Sequence, residues 1–98
     1  MPKEIDVKTL KKLISEGAQL IDVREQEELK QGNIAPMQHW PLSCFEAYKE
    51  KISKTQISVF YCQSGLRSLQ AAEIASKWTE QKVYSLKGGY IGYTGSSA

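Results

Sequence analysis

Residues 59–68 read Val-Phe-Tyr-Cys-Gln-Ser-Gly-Leu-Arg-Ser, in which an apolar run of strand length leads into a short polar loop. Apolar residues follow at helical spacing between Ala71 and Trp78, which predicts a helix over about 67–79 with one buried face. This stretch therefore predicts a strand, a loop that carries Cys62, and a helix whose N-terminus lies beside that cysteine.

Further apolar runs of strand length occur on both sides of this unit. They lie at residues 18–23 and 83–86, with weaker candidates at residues 4–6 and around 39–40. Helical patterns with capping signals lie between them. The first runs from Asp6, a good N-cap, to Gly17, a helix stop; a charged helical segment covers 25–31; and Ser43-Cys44-Phe45-Glu46 has the form of a capping box that opens another helix.

The alternation of strands and helices predicts an α/β fold. We expect a small, open, mostly parallel sheet of five strands with helices on both faces, because the crossover connections between parallel strands are right-handed. We expect one domain over residues 1–91 and a flexible C-terminal tail over residues 92–98. The turns after the strands that end near Val23, Tyr61 and Leu86 should meet at the carboxyl edge of the sheet, where such folds bind ligands.

Composition excludes several functional classes. The chain has 98 residues and a formal net charge of +2 without a cationic stripe, which argues against a nucleic-acid partner. No apolar run has membrane-spanning length and no secretory leader is evident, so we expect a cytoplasmic protein without a membrane partner. Two cysteines and one histidine are too few for a disulfide framework or a metal cage, and we predict neither a metal nor another cofactor.

Cys62 is the candidate nucleophile. At a strand-to-helix turn, loop amides and the helix N-terminus converge on the sulfur and favour the thiolate, which we expect to be exposed and open to oxidation. Gly65 permits a tight concave loop, and Arg67 adds a positive charge at its rim. The alternative is that Cys62 only fills the core.

Cys44 does not follow a strand and has no glycine or arginine near it in the sequence. It is interpreted as an inert thiol, with a resolving cysteine as the alternative.

Four other residues are candidates for supporting the site. Asp22 and Arg24 follow a central strand and are expected either to brace the loop edge or, more simply, to be solvated or paired with a neighbour. Gly88 and Gly89 are expected either to let the backbone approach the Cys62 loop closely or to form a plain turn. His39, the single histidine, is interpreted as a structural hydrogen-bond donor.

Four segments carry a resemblance to a known family: Leu20–Glu25 followed by Glu28, residues 32–42, Cys62–Ser68, and Leu86–Gly89. They resemble, in this order, the Asp-Val-Arg motif, the segment that ends in Pro-Leu, the active-site loop and the glycine pair of the rhodanese family. In the second segment, Gly32, Ile34, Pro41 and Leu42 agree with the family pattern. The chain thus resembles a single rhodanese domain over nearly its whole length.

The resemblance implies an enzyme that transfers sulfur. Cys62 would take the outer sulfur of thiosulfate or of a persulfidated donor protein and pass it, as a persulfide, to a thiol or another thiophilic acceptor. The loop that binds the substrate or the anionic persulfide would consist of Gln63, Ser64, Gly65, Leu66, Arg67 and Ser68. Its backbone N–H groups would supply most of the binding.

Two other functions are alternatives to this one. Phosphatases that resemble this fold place five residues between cysteine and arginine, whereas four separate Cys62 from Arg67, which leaves little room for a phosphoryl group. The second alternative is a sulfur carrier or docking module of a larger relay with little small-molecule turnover. It would resemble the C-terminal domain of adenylating proteins in molybdopterin or thiamine sulfur transfer.

Overall fold

The computed structural model describes residues 2–34 and 36–95 of the chain. Five strands form a single sheet, and all of its pairings are parallel. The elements are β1 (Lys3–Ile5), α1 (Val7–Ser15), β2 (Gln19–Asp22), a first 3₁₀ helix (Gln26–Gln31), β3 (Gln38–His39), a second 3₁₀ helix (Leu42–Lys51), β4 (Ser58–Tyr61), α2 (Leu66–Ala75), β5 (Val83–Leu86) and α3 (Gly89–Thr94). The predicted α/β class is confirmed.

The strand order β1-β5-β4-β2-β3 places β4 at the centre of the sheet. Tyr61 at the end of β4 lies beside Asp22 at the end of β2, and Phe60 lies beside Ser85 of β5. The carboxyl ends of the three inner strands therefore come together directly before the loop that carries Cys62.

Side-chain alternation along β4 divides the core between the two faces of the sheet. Phe60 and Cys62 belong to a cluster with Phe45 of the second 3₁₀ helix and the alanines of α2. Val59 and Tyr61 belong to the opposite cluster, with Leu10 of α1 and the partly buried tyrosines of α3. Helices thus cover both faces, as predicted.

The helix ends predicted from the sequence agree with the structure for α1 and differ from it for α2. Asp6 is the N-cap of α1 and accepts a hydrogen bond of 2.8 Å from the Thr9 amide. Gly17 follows the helix with a φ of +97°, which suits glycine. The helix predicted over about 67–79 is shorter, because regular α2 ends at Ala75.

The capping box predicted at Ser43 is wrong. The N-cap of the second 3₁₀ helix is Pro41, and the Ser43 hydroxyl instead donates to Glu25 at 2.8 Å. A capping box forms instead at the start of the first 3₁₀ helix, where Glu28 accepts from the Glu25 amide at 2.9 Å. A hydroxyl that can reach a carboxylate on another segment is no longer available to cap its own helix.

The sequence pattern does not predict the last helix, α3. It runs to Thr94, beyond the predicted end of the ordered domain at Ile91. Residues 96–98 of the predicted flexible tail lie outside the described residues, and the tail stays a prediction. Among residues 2–34 and 36–95, none of the helices has the length and apolar character needed to cross a membrane.

Candidate active site

The loop of residues 62–68, called the Cys62 loop below, begins directly after the central strand β4 and leads into α2. It is held from one side by the start of α3. The Tyr90 amide donates to the Cys62 carbonyl at 2.8 Å, and the Ile91 amide donates to the Gln63 carbonyl at 3.1 Å. Both amides lie in the first turn of α3, where backbone N–H groups have no partner within the helix.

Gly89 is the residue that permits this close approach. Its φ is +58°, and a Cβ atom built there would lie 2.5 Å from the Cys62 carbonyl oxygen and 2.7 Å from that of Gln63. Gly88, with a φ of +80°, begins the turn. Of the two possibilities left open by the sequence, the close backbone approach is the one the geometry shows at Gly89.

The sulfur of Cys62 accepts hydrogen bonds from the inside of the loop. The Gly65 amide donates to Sγ at 3.1 Å and the Ser68 amide at 3.3 Å. The protonated thiol donates to the Ser68 hydroxyl oxygen at 3.5 Å, and on ionisation the hydroxyl can turn its own proton to the thiolate. Gly65 has a φ of +110°, at which a residue with a side chain would be strained. In this conformation its amide points inward, toward Sγ.

Cys62 is buried, with 1% of its surface exposed, so the expectation of an exposed thiolate is wrong for this structure. The reason is the alternation along β4, because Cys62 points to the same face as Phe60, toward α2. The residues that are exposed at the loop are Ser64 and Leu66, the latter at 78%.

Burial and hydrogen bonding oppose each other at the sulfur. Burial raises the pKa of the Cys62 thiol, whereas hydrogen bonds from the Ser68 side chain and from the amides of Ser68, Gly65 and Ser64 lower it. The lowering wins, and the pKa of Cys62 lies below its ordinary value. The loop therefore favours the nucleophilic thiolate even though the sulfur is inaccessible to bulk water.

Ser85 of β5 is a contributor that the sequence reasoning missed. Its hydroxyl lies 2.7 Å from the Ser68 hydroxyl, and it is fully buried. The Ser68 hydroxyl donates to the Gly65 carbonyl at 3.2 Å. If Ser85 donates to Ser68, the single Ser68 proton is shared between that carbonyl and a Cys62 thiolate. The signal was present in the sequence as a serine inside an otherwise apolar strand of four residues.

Replacing Ser68 with alanine is expected to raise the pKa of Cys62, because it removes a hydrogen bond to the charged thiolate, and such bonds contribute about 1.5–3 kcal/mol. The thiolate fraction at neutral pH should fall, and the pH at which the thiol alkylation rate reaches half of its maximum should rise. The measurement is the pH dependence of thiolate ultraviolet absorbance, with Ser76→Ala as the control, since the Ser76 hydroxyl donates to the Glu73 carbonyl. An unchanged titration midpoint in Ser68→Ala would contradict the assigned role.

Asp22 and Arg24 form a fully buried ion pair at the end of β2. Arg24 Nη2 lies 2.8 Å from Asp22 Oδ2, and both side chains have 0% exposure. Of the simpler expectations for these residues, solvation and pairing with a neighbour, the structure has the pairing, and neither side chain is solvated. Burial lowers the pKa of the Arg24 guanidinium, but the hydrogen bonds and charge of Asp22 raise it above its ordinary value, so Arg24 stays charged.

Arg24 connects this pair to the Cys62 loop. Its Nη1 donates to Gln63 Oε1 at 3.2 Å and its Nη2 to the Gly32 carbonyl at 2.7 Å. The guanidinium carbon lies 4.5 Å from the centre of the Tyr90 ring. His39 has the structural role predicted for it, since its Nε2 lies 2.6 Å from the Arg24 carbonyl oxygen, which can only accept a hydrogen bond.

Arg67 is bound to a partner that the sequence reasoning did not identify. Its Nη1 and Nη2 donate to the two carboxylate oxygens of Glu28 at 2.8 and 2.7 Å. The hydrogen bonds from Arg67 lower the pKa of Glu28 to about 2, so the carboxylate stays ionised at neutral pH. Arg67 lies at the rim of the loop as predicted, but its charge is compensated there.

The remaining predicted positions are peripheral to the sulfur. The Gln63 amide group donates to Gln31 at 2.9 Å and also accepts from Arg24. Cys44 is exposed in the second 3₁₀ helix. Within residues 2–34 and 36–95, no group of three or more His, Cys, Asp or Glu side chains is arranged to hold a metal ion.

Sequence relatives match this chain over most of its length. The uncharacterized protein YqhL of Bacillus subtilis is 40% identical over 73 residues, which cover 74% of this chain and 58% of YqhL. The chain thus spans little more than half the length of that relative. A protein named sulfurtransferase from Allochromatium vinosum is 32% identical over 95 residues, covering 95% of this chain and 89% of the relative.

A solved structure agrees with the fold. The human single-domain sulfurtransferase superposes with a TM-score of 0.80 and 26% identity, and the match covers 100% of both chains. The family model described as "Rhodanese-like domain" matches residues 6–96. A match of that extent establishes that this chain belongs to the rhodanese-like domain family, and the loop that directs amide donors at the cysteine sulfur agrees with it.

Proposed function

We propose that the protein is a sulfurtransferase in which Cys62 carries the transferred sulfur as a persulfide. The observation that supports this most directly is the pair of amide donors on Sγ, those of Gly65 and Ser68, with the Ser68 hydroxyl 3.5 Å from the sulfur. The same donors that stabilise a thiolate would stabilise the anionic outer sulfur of a persulfide. Thiosulfate or a persulfidated protein as donor, a thiol as acceptor, and a cytoplasmic location are parts of this proposal.

The chemistry needs no general base when the attacking group is the Cys62 thiolate, the form that the hydrogen bonds of the loop favour. The Cys62 thiolate attacks the outer sulfur of thiosulfate, the S–S bond of thiosulfate breaks, and sulfite leaves with the bonding electron pair. In the second step a nucleophile such as cyanide attacks the outer persulfide sulfur. The Cys62 thiolate is then the leaving group, and thiocyanate is the product.

The experiment is to incubate the reduced protein with thiosulfate and to measure its intact mass. We expect one added sulfur, about 32 Da, which cyanide removes. The variant Cys44→Ser should gain the same mass, because Cys44 lies in the second 3₁₀ helix and takes no part in the Cys62 loop. A protein that stays unmodified by thiosulfate and by a persulfidated cysteine desulfurase alike would refute the proposal.

One observation favours a second function, that of a sulfur carrier. The putative sulfur carrier protein YrkF of Bacillus subtilis is 29% identical over 96 residues, which cover 96% of this chain and 52% of YrkF. A carrier would form the Cys62 persulfide in a single turnover from a desulfurase, with negligible steady-state formation of thiocyanate from thiosulfate. Rapid steady-state turnover would instead identify the enzyme.

A further inference from the structure

Both arginines at the Cys62 loop are paired with carboxylates. Arg24 binds Asp22 inside the protein, and Arg67 binds Glu28 at the rim through two hydrogen bonds. The carboxylate of Glu25 lies close enough to Arg67 to raise its pKa as well. Three carboxylates therefore surround two guanidiniums, and together they carry one formal negative charge.

Glu28 is held in position independently of Arg67. Its Oε1 accepts the Glu25 amide at 2.9 Å in the capping box of the first 3₁₀ helix. Its side chain and that of Arg67 are 27% and 35% exposed, so the pair is in contact with solvent at the rim of the Cys62 loop. A negative charge that is fixed there opposes an approaching anion, and the opposition grows with the charge of the anion.

We propose that Glu28 is a specificity-determining residue that sets the charge preference of the site for its sulfur donor. By compensating Arg67, Glu28 disfavours dianionic donors such as thiosulfate relative to donors of the same chemistry that carry a single negative charge, a class that includes the persulfide of a cysteine residue. This inference rests on the proposed sulfurtransferase function. Glu28 acts through Arg67 and through its own charge, and it does not touch the reacting sulfur.

Two small donors isolate the effect of charge. Thiosulfate carries two negative charges, whereas methanethiosulfonate has a methyl group in place of one charged oxygen and carries one. The reactions are otherwise parallel, since the Cys62 thiolate attacks the outer sulfur in each case. The S–S bond breaks, and sulfite or methanesulfinate leaves with the electron pair. The readout is the ratio of kcat/KM for thiosulfate to kcat/KM for methanethiosulfonate, with cyanide as the common acceptor.

Glu28→Gln removes the charge and keeps a side-chain oxygen that can accept from Arg67. We expect this variant to raise the donor ratio about fivefold at low salt, with most of the change in KM for thiosulfate, and we expect the difference to shrink at high salt. Glu28→Asp keeps the charge and should stay within about twofold of the unchanged protein. Glu27→Gln, an exposed neighbour in the same 3₁₀ helix, is the control for net charge.

Arg67→Gln provides a test of opposite sign. It leaves Glu28 uncompensated and should lower the donor ratio, whereas Glu28→Gln combined with Arg67→Gln should bring the ratio back toward that of the unchanged protein. Equal changes for both donors in Glu28→Gln, or a change that is independent of salt, would overturn the inference while the persulfide itself still forms. Absence of the persulfide with both donors would instead overturn the proposed function, and this inference with it.

Discussion

Cys62→Ser is expected to reduce thiocyanate formation from thiosulfate by at least about a thousandfold, because loss of a covalent nucleophile removes the reaction path itself. The serine hydroxyl has a far higher pKa than the thiol, so the amides of Gly65 and Ser68 cannot produce a comparable anion at neutral pH. The variant should also fail to gain about 32 Da on incubation with thiosulfate. Steady-state kinetics and intact mass measure the two effects.

Cys44→Ser is the matched control for this substitution. It changes the same chemical group at the exposed cysteine of the chain and should keep turnover within about twofold. Far-ultraviolet circular dichroism should show that both variants remain folded. Sulfur labelling that persists in Cys62→Ser and disappears in Cys44→Ser would show that Cys44, and not Cys62, is the nucleophile.

Arg24→Met is expected to lower the free energy of unfolding by about 3–5 kcal/mol, because it leaves the Asp22 carboxylate buried without its partner. Methionine fills much of the volume of the arginine stem, so the loss reflects charge and hydrogen bonding more than a cavity. The Asp22 side chain has 0% exposure and accepts three hydrogen bonds from the Arg24 guanidinium. Urea unfolding at neutral pH measures the change.

The double variant Asp22→Asn with Arg24→Met tests the cause of that loss. Since it removes both charges, it should recover at least about 1 kcal/mol relative to Arg24→Met alone. The recovery should be partial, because the hydrogen bonds of Arg24 to the carbonyls of Gly32 and Glu28 are also gone. If the single and double variants unfold at the same urea concentration, the buried charge is not what destabilises Arg24→Met.

Strand and loop positions could be predicted because they depend on near neighbours in the chain. Apolar runs of strand length and capping residues are read within a few positions of each other. They located β4, the following helix and the cysteine between them, as well as the N-cap at Asp6. The predicted start of the 3₁₀ helix after Pro41 is wrong, because the Ser43 hydroxyl donates to Glu25, which lies 18 residues away in the sequence.

The partners of the charged residues could not be predicted in the same way. Arg67 and Glu28 are 39 residues apart in sequence, as are Arg24 and Gln63. The chain holds 11 acidic residues, and nothing in their local pattern indicates which one Arg67 binds. Ser85 is a similar case, since its contact with Ser68 depends on β5 lying beside β4.

The amino-acid sequence alone was enough to place a cysteine at the carboxyl edge of a parallel sheet, with glycines and an arginine near it. This was possible because backbone preferences and apolar periodicity act over short distances along the chain. Assembly of the sheet settled that Cys62 is buried, that Ser68 and Ser85 adjoin the sulfur, and that Glu28 compensates Arg67. These properties follow from strand order and register, which bring distant residues into contact and set how much water and charge surround each of them.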